Sequence, residues 1–262
     1  MNVFRFIIGA FLDLPKQFRL SYLPPLLVYL AAGISGLTAI VGTFFIKDYL
    51  NLSAAFLAGL GFWAGLPWAL KMPLGHFVDL IWKHKNYMVY FGASIIAASL
   101  LIMHGLIGHT QTMATILPVE TWYVVSVILA PIGFVVQDVV ADAMTVEAVP
   151  KYETDGTAFS EKDIKTMHTT MQTLGRFAII SGSMLVALIN VVIFSGTETL
   201  NEEQRVALYA DVYVYALVIP LVSVLGVFLA KFLSYRTQKA TTLQEQDVPA
   251  SITHERNNTE IN

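Results

Sequence analysis

The sequence predicts an all-α membrane protein, a bundle of six transmembrane helices, and three observations lead to this prediction. Of the 262 residues, 55% are hydrophobic and only 13% are charged, with a mean hydropathy of +0.62. Soluble domains carry about 25% charged residues, so this composition excludes an ordinary soluble enzyme and a largely disordered chain. The apolar residues also come in six long blocks, and Lys and Arg lie almost entirely on one side of them.

The six blocks are predicted as helices because of their length and pattern. A transmembrane helix needs about 20 apolar residues, whereas a transmembrane strand needs about 10 with alternating polarity. The blocks here are long and do not alternate. We therefore predict spans at 22–46, 53–78, 87–108, 122–146, 168–195 and 211–233.

The segments that flank the spans differ from them in composition. Residues 1–20 are predicted as an N-terminal cytoplasmic segment, with either an interfacial helix over 3–14 or a frayed terminus. Residues 21–235 form the predicted transmembrane domain. Residues 236–262 are polar without helical periodicity, which predicts a disordered cytoplasmic tail.

The distribution of Lys and Arg predicts the orientation in the membrane. Twelve of the 16 cations lie before the first span or after the second, fourth and sixth, whereas the alternate loops hold only Lys47 and Arg205. Positive residues favour the cytoplasmic side. We therefore expect an integral protein of the inner or plasma membrane with both termini in the cytoplasm. The net charge of −3 gives no basic excess for nucleic acid.

Four charged residues lie in the interior of the predicted spans, away from their ends: Lys71, Asp138, Asp142 and Arg176. A charge near a helix centre costs about 2.5–3.5 kcal/mol, so such residues usually have partners or line a solute pathway. Asp138 and Asp142 are four residues apart and share one helix face, where they repel each other unless a cation intervenes. We expect Arg176 to pair with Asp142 and Asp138 to carry a proton. The alternative is a fixed ion-pair network that only holds helices together.

Several backbone signals lie in the second and fourth spans. Pro67, Pro73 and Pro131 each remove a helical hydrogen bond and permit a kink. Gly61 and Gly65 form a small-residue pattern that is typical of close helix contacts in membranes. These signals predict irregular, closely packed helices rather than a particular chemistry.

Signatures of intramembrane enzymes are weak or absent. The chain has no H-E-x-x-H motif, its six histidines lack ligand spacing, and it has no cysteine, so we expect no metal or cofactor. The run 33–36, Gly-Ile-Ser-Gly, fits a rhomboid-type serine motif, but Ser35 lies in a helix rich in small residues. We predict that the protein is not an enzyme.

Two blocks of sequence resemble the folate–biopterin transporter family of the major facilitator superfamily. The first block resembles the family's first helix hairpin and contains Lys47-Asp48, Leu50-Asn51-Leu52-Ser53, Pro67-Trp68-Ala69-Leu70-Lys71 and Gly75-His76-Phe77-Val78-Asp79. The second block, 137–147, resembles the family's fourth helix, with the element Q-D-V-x-x-D-A. That element is also similar to muropeptide permeases and acetyl-coenzyme A carriers. The family tends to have proline directly after the lysine, where this chain has Met72.

The resemblance implies a fold like the N-terminal half of a major facilitator and a role in secondary transport. The implied solute is organic and folate- or pteridine-like, carried by a proton-coupled symporter, with a muropeptide-permease-like carrier as the alternative. In that fold the first and fourth helices line the cavity. The residues implied for the pathway are Tyr29, Ser35, Thr38, Lys71, Gln137, Asp138, Asp142 and Arg176. Tyr29, Trp63 and Trp68 could stack on a flat solute. Gly75 and Asp79 are implied to lie in a gating loop.

The resemblance covers only half of a major facilitator, which has twelve spans in two halves. A cavity between halves needs an opposite wall, so we expect the lipid-embedded chain to work with a second six-helix half or as a homodimer. The alternative is a truncated, transport-inactive fragment or a membrane subunit without its own pathway.

Overall fold

The computed structural model describes residues 18–45, 52–153 and 156–246, and the interfacial helix predicted at 3–14 lies outside them. Regular structure in these residues is helical, with one isolated β-bridge between Tyr152 and Ala158, so the predicted all-α class is confirmed. Five helical segments are long and apolar enough to cross a membrane, which makes the chain an integral membrane protein. They are Leu20–Thr43, Trp82–Gly108, Val119–Ala148, Glu161–Thr199 and Glu202–Arg236, and they match the first, third, fourth, fifth and sixth predicted spans.

The first of these segments changes its helix type in the middle. A 3₁₀ turn at Leu20–Tyr22 leads into α1, Leu23–Gly33, which begins with two prolines. Proline suits the first turn because the N–H that it lacks has no helical partner there. A second 3₁₀ stretch, Ile34–Thr38, follows, and α2 completes the segment at Ala39–Phe45.

The second predicted span is divided into two short helices. Ser53 caps α3, Ala54–Ala69, by accepting a hydrogen bond from the Phe56 amide at 3.2 Å, and α4 is Lys71–Leu80. At Leu70, between them, ψ is 4° instead of a helical value. Pro73 explains the break, because its missing N–H would have bonded to the carbonyl of residue 69. The helices have 16 and 10 residues, so neither reaches the length of a single spanning helix.

Six further helices follow in chain order. Asn201 and Gln204 form a reciprocal capping box at the start of the helix Glu202–Tyr215, and Ser160 caps the helix Glu161–Phe194. These helices are α5 at Lys85–Gly108, α6 at Thr110–Ala114, α7 at Val119–Ala148, α8 at Glu161–Phe194, α9 at Glu202–Tyr215 and α10 at Val218–Gln246.

The chain divides into two units, one up to Val227 and one from Phe228 onward. In the second unit the helix continues to Gln246, so the first part of the tail predicted as disordered is helical. Its Gln, Lys, Ala, Leu and Glu residues are good helix formers, which outweighs the missing apolar periodicity. In that unit the Arg236 guanidinium lies 5.1 Å from the centre of the Phe232 ring.

Helix α7 is the centre of the first unit, and α5 packs against it in antiparallel orientation. Gly92 and Gly133 let the two backbones approach, since a Cβ on Gly92 would lie 2.8 Å from the Gly133 carbonyl oxygen. Farther along, the Ser99 hydroxyl donates to the Ser126 carbonyl at 2.9 Å, and the Ser126 hydroxyl donates to the Ser99 carbonyl at 3.0 Å. Such close crossings with paired hydroxyls are typical of membrane helices.

One end of the bundle is rich in lysine. We call the end with Lys83, Lys85, Lys151 and Lys162 the basic end. At the basic end, the Lys85 ammonium binds the Glu147 carboxylate and lies 4.1 Å from the centre of the Trp82 ring. This pair joins the start of α5 to the end of α7.

Candidate functional site

A polar cluster from three helices lies inside the spanning part of the bundle. The Lys71 ammonium, at the first position of α4, lies 2.5 Å from an Asp138 oxygen and 3.0 Å from an Asp142 oxygen. The two aspartates share one face of α7, as their spacing of four residues predicts. A single cation therefore bridges both carboxylates and offsets their mutual repulsion.

The third helix of the cluster is α1, which contributes Tyr29. Its hydroxyl donates a hydrogen bond of 2.5 Å to the other oxygen of Asp142, whose carboxylate thus has both oxygens bound. The Tyr29 ring lies against α8 at Gly175, where an added Cβ would come within 2.8 Å of the ring. The glycine makes room for the ring and so places its hydroxyl beside Asp142.

The two aspartates differ in depth and burial. Asp138 lies about 15 Å and Asp142 about 9 Å from the Ala148 end of α7, at 1.5 Å per residue. The side chain of Asp138 is 11% exposed, whereas that of Asp142 is 50% exposed and that of Lys71 is 36% exposed. Among the described residues, Lys71 is the one group that binds the Asp138 carboxylate. Asp138 therefore depends on Lys71 far more than Asp142 does.

The predicted pairing of Arg176 with Asp142 is wrong. In the described part of the chain Arg176 forms no ion pair, and Lys71 is the cation between the carboxylates. Arg176 is exposed next to Gly175 on α8. After the break at Leu70, α4 packs on α7. Lys71, at the start of α4, therefore binds the carboxylates in place of Arg176.

Gln137 lies away from this cluster, although it is the neighbour of Asp138. Its side chain is 3% exposed, accepts a hydrogen bond from the Ser223 hydroxyl at 2.9 Å and donates to the Val89 carbonyl at 3.3 Å. It therefore ties α7 to α10 and α5 on the packed side of α7. Successive residues of a helix point about 100° apart, so Gln137 and Asp138 cannot face the same cavity.

The other predicted site residues lie on the exposed surface of α3 and α4. Trp63 and Trp68 are exposed, and Trp63 makes an edge contact with Phe62 at 5.5 Å between ring centres. Asp79 is exposed near the basic end, and a Cβ on Gly75 would meet no atom within 4 Å. These residues are not joined to the Lys71 cluster by any described hydrogen bond or ion pair.

Two polar contacts were not predicted from the sequence. Tyr29 was expected to stack on a solute, but its hydroxyl binds Asp142. Thr38 was expected to line the cavity, but it lies next to Tyr213 of α9. Both are single hydroxyls in apolar helices, and such hydroxyls need a partner when they are buried. That need is readable from sequence, whereas the identity of the partner is not.

The fold and the cluster together define a helical membrane protein with a charged site inside its spans. The chain matches no family model, no curated protein and no solved structure.

Proposed function

We propose that this protein is a secondary transporter, or half of one, for an organic solute, and that proton movement drives it. The observation that supports this best is the cluster of Lys71, Asp138, Asp142 and Tyr29, in which the two aspartates and the tyrosine lie on membrane-spanning helices. Ionisable groups at such depth are costly and in transporters mark the paths of protons and solutes. The cluster joins three helices and is partly exposed, so a solute can reach it.

Within this proposal Asp138 is the proton-coupling residue. Its carboxylate is nearly buried and depends on Lys71 for its counter-charge. If the lysine turns away toward a solute, Asp138 becomes a buried carboxylate without a cation, and a proton is the simplest replacement. When Lys71 turns away, Asp142 is still exposed to solvent and still accepts the hydrogen bond from the Tyr29 hydroxyl, so its carboxylate can remain ionised.

The proposed working unit contains a second wall opposite the cluster. Asp142 and Arg176 are exposed on spanning helices and Lys71 is partly exposed on α4, and lipid contact is unfavourable for all three charges. The α3 helix also leaves Gly61 and Gly65 with no atom within 4 Å of an added Cβ. A second copy of the chain, or a separate six-helix half, would cover these groups. We further propose that α3 and α4 together cross the membrane once, as the second of six crossings along the chain, and that both termini are in the cytoplasm.

The substrate class rests on the resemblance of the motif blocks to folate–biopterin transporters. Folate or a pteridine is therefore the first solute to test, followed by a muropeptide. The exposed Trp63 and Trp68 offer flat apolar surfaces for a heterocycle.

Uptake into proteoliposomes under an imposed pH gradient tests the proposal. We expect the wild type to accumulate one of these solutes and Asp138→Asn to lose gradient-driven accumulation while it retains solute exchange. Asp211→Asn, which removes an exposed carboxylate from α9, is the matched control and should behave as wild type. If the wild type moves none of the solutes in a monodisperse, folded preparation, the transport-inactive alternative is favoured instead.

The oligomeric part of the proposal has its own test. We expect a dimer, or no transport from the monomer, when the protein is reconstituted at limiting copy number per vesicle. A monomer that transports alone would show that no second wall is needed.

A further inference from the structure

The first spanning segment changes from α-helix to 3₁₀-helix near its midpoint. The 3₁₀ stretch Ile34–Thr38 has five residues, more than the three or four that such stretches usually reach. A 3₁₀ stretch in the middle of a helix often marks a hinge or a strained sequence. Regular α-helix continues on both sides of it, in α1 and α2.

The half of the segment before this stretch is fixed to α8. A Cβ on Gly182 would lie 2.9 Å from the Gly33 Cα, so the two backbones are nearly in contact. The Ser183 hydroxyl lies 3.3 Å from the Gly33 carbonyl, at the residue where α1 ends and carbonyls lose their helical partners. One turn earlier, the Tyr29 ring lies against Gly175 of the same helix.

The half after the stretch contacts α9. A Cβ on Gly42 of α2 would lie 3.5 Å from the Tyr213 hydroxyl oxygen. Val41 of α2 is buried in the same apolar cluster as Tyr213. The two halves of one spanning segment are thus attached to different helices.

The middle of the stretch has open space beside Gly36. A Cβ on Gly36 would meet no atom within 4 Å. Glycine lowers helix stability by about 1 kcal/mol relative to alanine, so Gly36 favours a departure from the α-helix. At this residue, therefore, no close neighbour opposes a change between 3₁₀ and α-helical bonding.

We propose that Ile34–Thr38 is a hinge that lets α1 move with α8 while α2 stays with α9. The immediate consequence is that Tyr29, which is on α1, can shift relative to α2 and α9 without breaking the contacts at either end of the hinge. The proposal does not depend on transport, because it concerns the motion of the chain without solute.

Distances between pairs of spin labels test the hinge in lipid nanodiscs, and the chain has no native cysteine to interfere. An outer pair at Ile40→Cys and Leu188→Cys reports α2 against α8, and an inner pair at Leu20→Cys and Phe177→Cys reports the start of the segment against α8. All four side chains are exposed. We expect a broader distance distribution for the outer pair than for the inner pair.

Two glycine variants then distinguish a hinge at this stretch from general flexibility of the protein. Gly36→Ala should remove the excess width of the outer pair, because alanine favours continuous α-helix and its Cβ fits. Gly59→Ala, which adds a Cβ to open space on α3, should leave that width unchanged. Equal widths of the two pairs in the wild-type background would overturn the proposal, and this comparison needs no hinge variant to fold. An outer width that persists in Gly36→Ala would overturn it as well.

Discussion

Replacement of Lys71 by methionine tests how the charged cluster is held together. The substitution keeps most of the length of the side chain and removes its charge, so each aspartate loses the same cation. Asp138 is 11% exposed and has Lys71 as its described partner, whereas Asp142 is 50% exposed and keeps the Tyr29 hydroxyl. Loss of one partner of a buried ion pair costs about 3–5 kcal/mol, and loss of an exposed pair about 0–1 kcal/mol. We therefore expect Lys71→Met to lower the free energy of unfolding by about 3 kcal/mol, mostly through Asp138.

Double-mutant cycles assign this energy to the two aspartates. The free energy of unfolding is measured by SDS titration in mixed micelles, with tryptophan fluorescence as the signal, for Lys71→Met, Asp138→Asn, Asp142→Asn and the two double variants. We expect a coupling of about 3 kcal/mol between Lys71 and Asp138 and of less than about 1 kcal/mol between Lys71 and Asp142. A coupling to Asp142 as large as that to Asp138 would refute the reasoning from burial.

Three further predictions concern packing and the limits of the site. Gly182→Ala should destabilise the protein by about 1–3 kcal/mol in a thermal melt, because the added Cβ meets backbone atoms of α1, whereas Gly59→Ala should be neutral or slightly stabilising. Gln137→Leu should lower the yield of folded protein, at a cost of about 1–3 kcal/mol for the hydroxyl and carbonyl left unpaired, but leave uptake per folded molecule unchanged. Loss of uptake per folded molecule would instead place that residue on the pathway. Lys85→Met should loosen the basic end by about 1 kcal/mol, visible as faster proteolysis of the loop between α7 and α8, and unchanged cleavage would show that the pair contributes little.

The spans could be predicted from sequence because lipid offers no hydrogen-bond partners, so the backbone must satisfy its own polar groups there. Long apolar blocks without charge must be helical, and five of the six predicted blocks are helices of spanning length. The block at 53–78 is divided because Pro73 removes a hydrogen bond, and the sequence did predict a kink at its prolines. The 3₁₀ stretch at 34–38 was not predicted, since a glycine such as Gly36 is common in membrane helices and does not by itself mark a 3₁₀ stretch.

The site could be predicted only in part, because the sequence does not give the rotation of each helix about its own axis. The spacing of Asp138 and Asp142 fixed a shared face of α7, and the need for a cation between them followed from repulsion. Which cation supplies the charge depends on how α4 and α8 are rotated and bent, and sequence periodicity does not give this for helices that are apolar all round. The position of Gln137 was readable, because a residue next to Asp138 points about 100° away from it.

The positions of the backbone breaks bear on how the cluster can change. Lys71 is the first residue after the break at Leu70, and Tyr29 lies one turn before the end of α1 at Gly33. The helix α7, which holds both aspartates, runs unbroken from Val119 to Ala148. The donors of the cluster are therefore on elements that can bend close to the site, while the acceptors are on a continuous helix packed at the centre of the bundle. We expect a small change at either break to move a donor away from its carboxylate without repacking α7, and the proposed proton coupling at Asp138 requires this kind of change.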